Sequence, residues 1–425
     1  MLLFSLFCFA CNSTPDSPAP KENEPPPIHE FSNNSQIKPK LLTNENVENY
    51  LITLPKRSNS KIYIAKLNTR QKDTSIFLKK IIEQHAMSGD DPWAMAHAML
   101  ALGVNATTPS GVNVVDAIFS YAEISNISKS PFPSFPKFVT RKNVEIPVEP
   151  HTHLMLKVFT ELAVPPDQPI SVNNISFTMA DYYRGTILSS HLNPQSNVSS
   201  YESPNDMAWS VQGLLSLMNP NQDWRAANGQ TMSSNFLGQF ITAVIAQESN
   251  SLKQAMAAQA NFKKDDNGIF KYTCGGAHLL QSVAYANARG FGNEKTLEEV
   301  QSQIDLLFYR FPRELQIYDD IMKAQPQHKV RLLAQRLKFV GHFLESAQKL
   351  SMMGLYTPNE DQIKMMQGAL DQLVLVVAAL DQEGIYNSLY NLKVNDPQLY
   401  RDILGDTAHA LYGIYLFSGT RKITY

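Results

Sequence analysis

Six stretches of this chain are apolar almost all the way round a helix, and they constrain its fold more than any other feature. They are PWAMAHAMLALG (92–103), HTHLMLKVFTEL (151–162), DMAWSVQGLLSLM (206–218), GGAHLLQSVAYANA (275–288), RLKFVGHFLESAQKL (336–350) and DTAHALYGIYLF (406–417). A helix with no polar face has to be covered on every side by other elements. Their Ala and Gly content lets those neighbours come close. Between them run helices of another kind. In TSIFLKKIIEQHAM (74–87), Ile76, Phe77, Ile81 and Ile82 share one face while Lys79, Lys80 and Glu83 lie off it. LEEVQSQIDLLFYRF (297–311) and DQIKMMQGALDQLVLVVAAL (361–380) read the same way. The alternation predicts hairpins of one inner and one outer helix. Asp91 before Pro92 is an N-cap followed by proline at the first helical position, and Asp206 and Asp406 are the expected N-caps of two further inner helices.

Superposing the inner stretches puts His97, His153, Trp209, His278, His342 and His409 at one phase, with steps of 56, 56, 69, 64 and 67 residues. Open solenoids use shorter units of about 34–45 residues. Six longer units favour closure into a ring. The expected fold is therefore all-α, an (α/α)6-type toroid of about six helical hairpins over residues 46–425. Two loops, DDNGIFKYTCGGAH (265–278) and DQEGIYNSLYN (381–391), share the order acidic, Gly, Ile, aromatic ahead of an inner helix. This resembles the turn before inner helices in the α/α toroids of terpenoid cyclases and protein prenyltransferases. The resemblance implies a toroid over residues 60–420. It does not extend to those families' catalytic groups, because no DDxD-type acid cluster and no match to the prenyltransferases' Asp, Cys and His zinc ligands occur. Lanthionine-cyclase-like toroids hold zinc with two cysteines, whereas this body has one.

The N-terminus differs in kind. In MLLFSLFCFACNSTPDSPAP an apolar run ends at Ala10-Cys11 and passes at once into a Pro/Ser/Asn-rich tract. This resembles a bacterial lipoprotein signal peptide with its lipobox. The resemblance implies that residues 1–10 are removed and that Cys11 becomes the acylated first residue, since two or three acyl chains anchor durably where one is marginal. Asn12 in place of Asp then implies the outer membrane, facing periplasm or exterior. Residues 11–45 are poor in large apolar side chains and read as a disordered tether. No later apolar run approaches the 18 or so residues that span a bilayer. With 37 basic against 39 acidic residues and no Lys/Arg-rich run, nothing points to a nucleic-acid partner.

The chemistry concentrates on the inner helices. Inner helices of a toroid run parallel, so their N-terminal ends meet at one mouth of the cavity. Cys274 and His278, four apart, would share one helix face, a spacing compatible with two zinc ligands. His97, His153, His342 or His409 would supply a third, leaving a position for water. Glu149, Asp206 and Asp406 are the candidate catalytic carboxylates. His151 and His153 diverge on a helix, and both can act only if the helix starts at His153. In the competing reading, Gly275-Gly276 is only a sharp turn into a core helix and Cys274 a buried thiol. Trp93 and Trp209, with several tyrosines, would give the cavity aromatic walls suited to sugar rings or apolar chains. No GxSxG, Walker, GxGxxG or HExxH motif occurs. Two function classes follow, beside a third reading, an isoprenoid or lipid substrate in the toroid, that rests on fold analogy alone. One is a hydrolase or lyase acting on a glycan or peptide by metal-assisted or acid/base chemistry. The other is a non-catalytic binding or assembly lipoprotein of the envelope. The first expects the histidines within about 5 Å of one point beside a pocket of at least about 300 Å³. The second expects a filled ring centre.

Overall fold

The computed structural model describes residues 62–421 except 128, 142, 196, 197, 266 and 273, and before them only 42, 43, 45–47 and 52. Cys11 and the lipobox lie outside the described residues. The fold is all-α, with fourteen α-helices and five two-stranded hairpins among the described residues.

Start signals account for most of the helices. Asn68 and Gln71 form a capping box that opens α1 (Thr69–Ile81), which continues through a π-helical turn at Ile82–Ala86. Asp91 accepts from the Ala94 N–H at 2.9 Å and Pro92 follows, starting α2 (Pro92–Leu102) as expected. Short α3 (Val114–Phe119) precedes α4 (Leu154–Glu161) and α5 (Met179–Ser189). Helix α6 (Pro204–Leu215) is capped by Ser203, so Asp206 stands at its third position rather than at the cap. Helices α7 (Ser234–Glu248) and α8 (Asn250–Ala257) lead to α9 (Ala277–Ala288). Capping boxes at Asn293 and Asn359 open α10 (Glu294–Ala324) and α12 (Glu360–Gln382), on either side of α11 (Lys329–Met352). After α13 (Leu389–Asn395), Asp396 and Pro397 open α14 (Pro397–Phe417). That start leaves Asp406 in mid-helix instead of at a cap. The opening turns of α11 and α14 carry Lys329, Arg331, Arg401 and Asp402, so only the later turns of each read as apolar all round.

The inner helices touch in sequence: α2 packs on α4, α4 on α6, α6 on α9, α9 on α11 and α11 on α14, and α14 returns to α2. Of the other helices, α7 packs on α6 and α9, α10 on α9 and α11, α12 on α11, and α1 on α12 and α14. One contiguous apolar core runs through all of these, with a small satellite around Leu252, Ile269 and Leu306. Leu42, inside the segment read as tether, is buried in that core, and the Arg225 N–H donates to its carbonyl at 2.9 Å. Folded structure thus begins a few residues earlier than composition suggested. Helix α12 is long and apolar enough to cross a membrane by composition. Its Met366, Leu370, Leu373, Val377 and Leu380 are instead buried, and it packs on α11 and α1.

The hairpins were not anticipated. Strands at 138–141 and 144–147, and at 169–172 and 175–178, fill the connections between inner helices. Asn173 and Asn174, with φ of 51° and 65°, make a tight turn of the type that suits right-twisted strands.

Candidate functional site

The closest helix pair makes the site. Helices α11 and α14 meet at Gly341 and Gly413: a Cβ on Gly341 would stand 3.1 Å from the Ala410 nitrogen, and one on Gly413 3.1 Å from the Glu345 nitrogen. Without side chains there, the two backbones approach far enough to bring the neighbouring His342 and His409 together, with ring centres 4.1 Å apart and planes tilted by 42°. From α9, the His278 ring lies 4.9 Å from His342 and 5.3 Å from His409. From α2, His97 comes within 5.4 Å of His409. Ring nitrogens of His278, His342 and His409 all lie within 4.8 Å of one another. Only His278 sits at the start of its helix; the other two are central, because α11 and α14 begin earlier than their apolar stretches.

Hydrogen bonds set the tautomers. His97 Nδ1 donates to the Trp93 carbonyl at 2.8 Å, and His409 Nδ1 donates to Glu345 Oε2 at 2.7 Å. In the neutral ring each then presents Nε2 as its lone-pair nitrogen. His278 Nδ1 and His342 Nδ1 are buried without a hydrogen-bond partner, the latter 3.7 Å from Glu345 Oε2. Burial is the main cause that holds His97 and His278 well below the ordinary imidazole value and takes His342 to about 3, with neighbouring histidines adding to it. These three rings are neutral at physiological pH, which is the form that accepts protons or binds metals.

Beneath the rings lies a buried ion cluster. Lys349 Nζ stands 2.5 Å from both Glu345 Oε1 and Glu161 Oε1 and 3.0 Å from Gln281 Oε1. Lys157 Nζ is 2.9 Å from Glu161 Oε2, which also accepts from Gln212 at 3.0 Å, while the Tyr412 hydroxyl donates to Glu161 Oε1 at 2.8 Å. Two cations face two carboxylates, so the formal charges cancel. Burial alone would raise the Glu345 carboxyl, but Lys349 and His409 more than offset it and hold it well below the usual range. For Glu161 burial is likewise outweighed by Lys157 and Lys349, leaving it at about 2. None of these four ions was singled out from sequence. The signal was present as Lys157/Glu161 and Glu345/Lys349, two i,i+4 opposite-charge pairs on helices otherwise apolar all round.

A pocket rises above the histidines: its water-accessible volume is about 80 Å³, short of the roughly 300 Å³ expected of a substrate cavity, within about 760 Å³ of empty space that includes the open mouth. His97, His278, His342, His409, Trp93 and Trp209 line it, with Cys274, Asp406 and Lys338. The His278 ring packs against Trp209 at 4.0 Å. Lys338 Nζ is 3.2 Å from Asp402 and 3.8 Å from Asp406.

Three expected positions need correction. Cys274 and His278 do not share a helix face, because Gly275 and Gly276 both take positive φ and α9 starts only at Ala277. Cys274 instead directs its thiol at Asn205 Oδ1, 3.6 Å away. His153 does not line the pocket: it adopts the left-handed conformation at the start of α4, and its ring meets Tyr201. His151 lines the pocket in its place, stacked on Trp209 and donating from Nδ1 to Asp206 Oδ1 at 2.9 Å. Glu149 lies outside the pocket too, accepting from the Met155 N–H at 2.9 Å as a cap for α4. Burial raises its carboxyl to about 8 despite that bond. Of the three candidate carboxylates, Asp406 lines the cavity and Asp206 is hydrogen-bonded to His151, which does. The chain matches no protein-family model, no curated protein and no solved structure.

Proposed function

We propose that this protein is an envelope lipoprotein whose body is an α/α toroid and whose histidine pocket cleaves a bond in a glycan or peptide. The observation that carries the reading is the convergence of four buried histidines under one open pocket, three of them with ring nitrogens within 4.8 Å. Nothing in core packing requires four imidazoles at one point. The unbroken run of contacts among the six inner helices supports the toroid. Trp93 and Trp209 at the walls suit a sugar ring or an apolar side chain. In the hydrolytic form, water adds across a glycosidic C–O or amide C–N bond. A neutral histidine, His97 foremost, takes the water proton, and the Lys338 ammonium, held beside Asp406 and Asp402, gives one to the leaving oxygen or nitrogen. The Ala10-Cys11-Asn12 order supports acylation at Cys11 and an outer-membrane anchor, with the following segment as a tether.

The test is a screen of the full chain against cell-wall glycans, other polysaccharides and peptides, following new reducing ends and new amines. His97→Asn and Lys338→Met should each lower the rate by about 10²-fold or more. Equal rates in wild type and both variants would refute the assignment. One observation favours the non-catalytic alternative: the ring centre below the histidines is filled by Lys157, Glu161, Glu345 and Lys349, leaving no through-channel there. That reading predicts saturable glycan or peptide binding with no cleavage.

A further inference from the structure

We propose that His278, His342 and His409 bind one first-row divalent transition metal, with zinc as the fitting class, and that Glu345 is the positioning residue for the site. The inference rests on the reading of this pocket as a chemical site and deepens it by naming the cofactor. Tetrahedral zinc holds nitrogen at about 2.0–2.1 Å, so its ligands stand about 3.4 Å apart. A triangle of nitrogens no more than 4.8 Å on a side reaches that size when each moves inward by less than about 1 Å.

Two further observations point to a missing partner. His278 and His342 are 7% and 4% exposed, and the Nδ1 of each lacks a hydrogen bond, that of His342 lying 3.7 Å from Glu345 Oε2. Core histidines are ordinarily satisfied, as His97 is by Trp93. His409 has the other hallmark of a metal ligand: its Nδ1–H is held by a buried carboxylate, Glu345, which fixes the ring and leaves Nε2 to the ion. The donor set decides the metal class. Three imidazoles with no carboxylate among them suit zinc and its neighbours and do not suit calcium or magnesium. The three rings also line the open pocket, which provides a path of entry and a fourth coordination position for water.

The experiment uses the full chain, stripped with a chelator and titrated with Co2+ and then Zn2+. It follows the visible absorption of bound Co2+ and the metal content per chain. One metal per chain is expected, with a tetrahedral Co2+ spectrum free of thiolate charge-transfer bands and unchanged in Cys274→Ala. His278→Ala/His342→Ala should bind none, while keeping the urea midpoint of the stripped wild type or exceeding it. Glu345→Gln should keep the stoichiometry and lose about 10- to 100-fold in affinity. Zinc should raise the melting temperature of wild type and not that of the double variant. Absence of binding at micromolar zinc, binding that survives the double variant, or a thiolate band lost in Cys274→Ala would each overturn the proposal. Metal binding without any bond cleavage would leave this site standing and refute the hydrolytic reading. Cleavage indifferent to chelation would do the reverse.

Discussion

Replacing Glu161 by Gln should cost about 3–5 kcal/mol of folding stability at pH 7. The side chain is 1% exposed and meets Lys349, Lys157, Gln212 and the Tyr412 hydroxyl. Substitution leaves two buried lysines facing the single carboxylate of Glu345, and removing one partner of a buried ion pair typically costs about 3–5 kcal/mol. Linkage gives an independent figure. The Glu161 carboxyl lies at about 2 against 4.5 unfolded, and at about 1.4 kcal/mol per unit this is roughly 3 kcal/mol. The sign follows from the depressed folded value: the contribution is complete above about pH 4.5 and is lost as pH falls towards 2. Urea unfolding at pH 7 and pH 3, with slopes compared to detect any change in cooperativity, would measure both. The loss should be large at pH 7 and much smaller at pH 3. Lys157→Met/Glu161→Leu, which removes one cation and one carboxylate together, should recover most of it. A loss below about 1 kcal/mol at pH 7, or one independent of pH, would refute the reasoning.

Two more predictions concern the packing around the site. Glu149, buried and raised to about 8, binds a proton in the folded state that the unfolded chain has released, so stability should fall as pH rises from about 4.5 to 8, by at most about 1.4 kcal/mol per unit. Glu149→Gln should flatten that slope in pH-dependent thermal melts while keeping an acceptor for Met155; parallel profiles would sink the argument. Gly413→Val forces a side chain into the α11–α14 contact, where Glu345 N and Gly341 O already stand 3.1 and 3.3 Å from a Cβ, and should cost about 1–3 kcal/mol. Gly368→Ala in α12 meets nothing within 4 Å and should stabilise by about 0.5–1 kcal/mol, so equal effects from the two would contradict the packing account.

The sequence by itself determined that the chain is helical and put five histidines, His97, His153, His278, His342 and His409, at one phase, of which all but His153 line the pocket. Those properties are local. A stretch such as PWAMAHAMLALG has no polar face to give to water, and Asp91-Pro92 marks its start wherever it is placed. Tertiary structure decided the rest. Whether Cys274 or His342 stands next to His278 depends on two positive-φ glycines that delay α9, and on the approach of two backbones at Gly341 and Gly413, which no spacing within either helix encodes. That His151 rather than His153 reaches the pocket follows from α4 starting one residue after the left-handed His153. The charges of Lys157, Glu161, Glu345 and Lys349 read as two separate helix pairs along the chain. They become one neutral buried cluster only because α4, α11 and α14 meet there, and burial is what turns an ordinary surface pattern into the floor of a site.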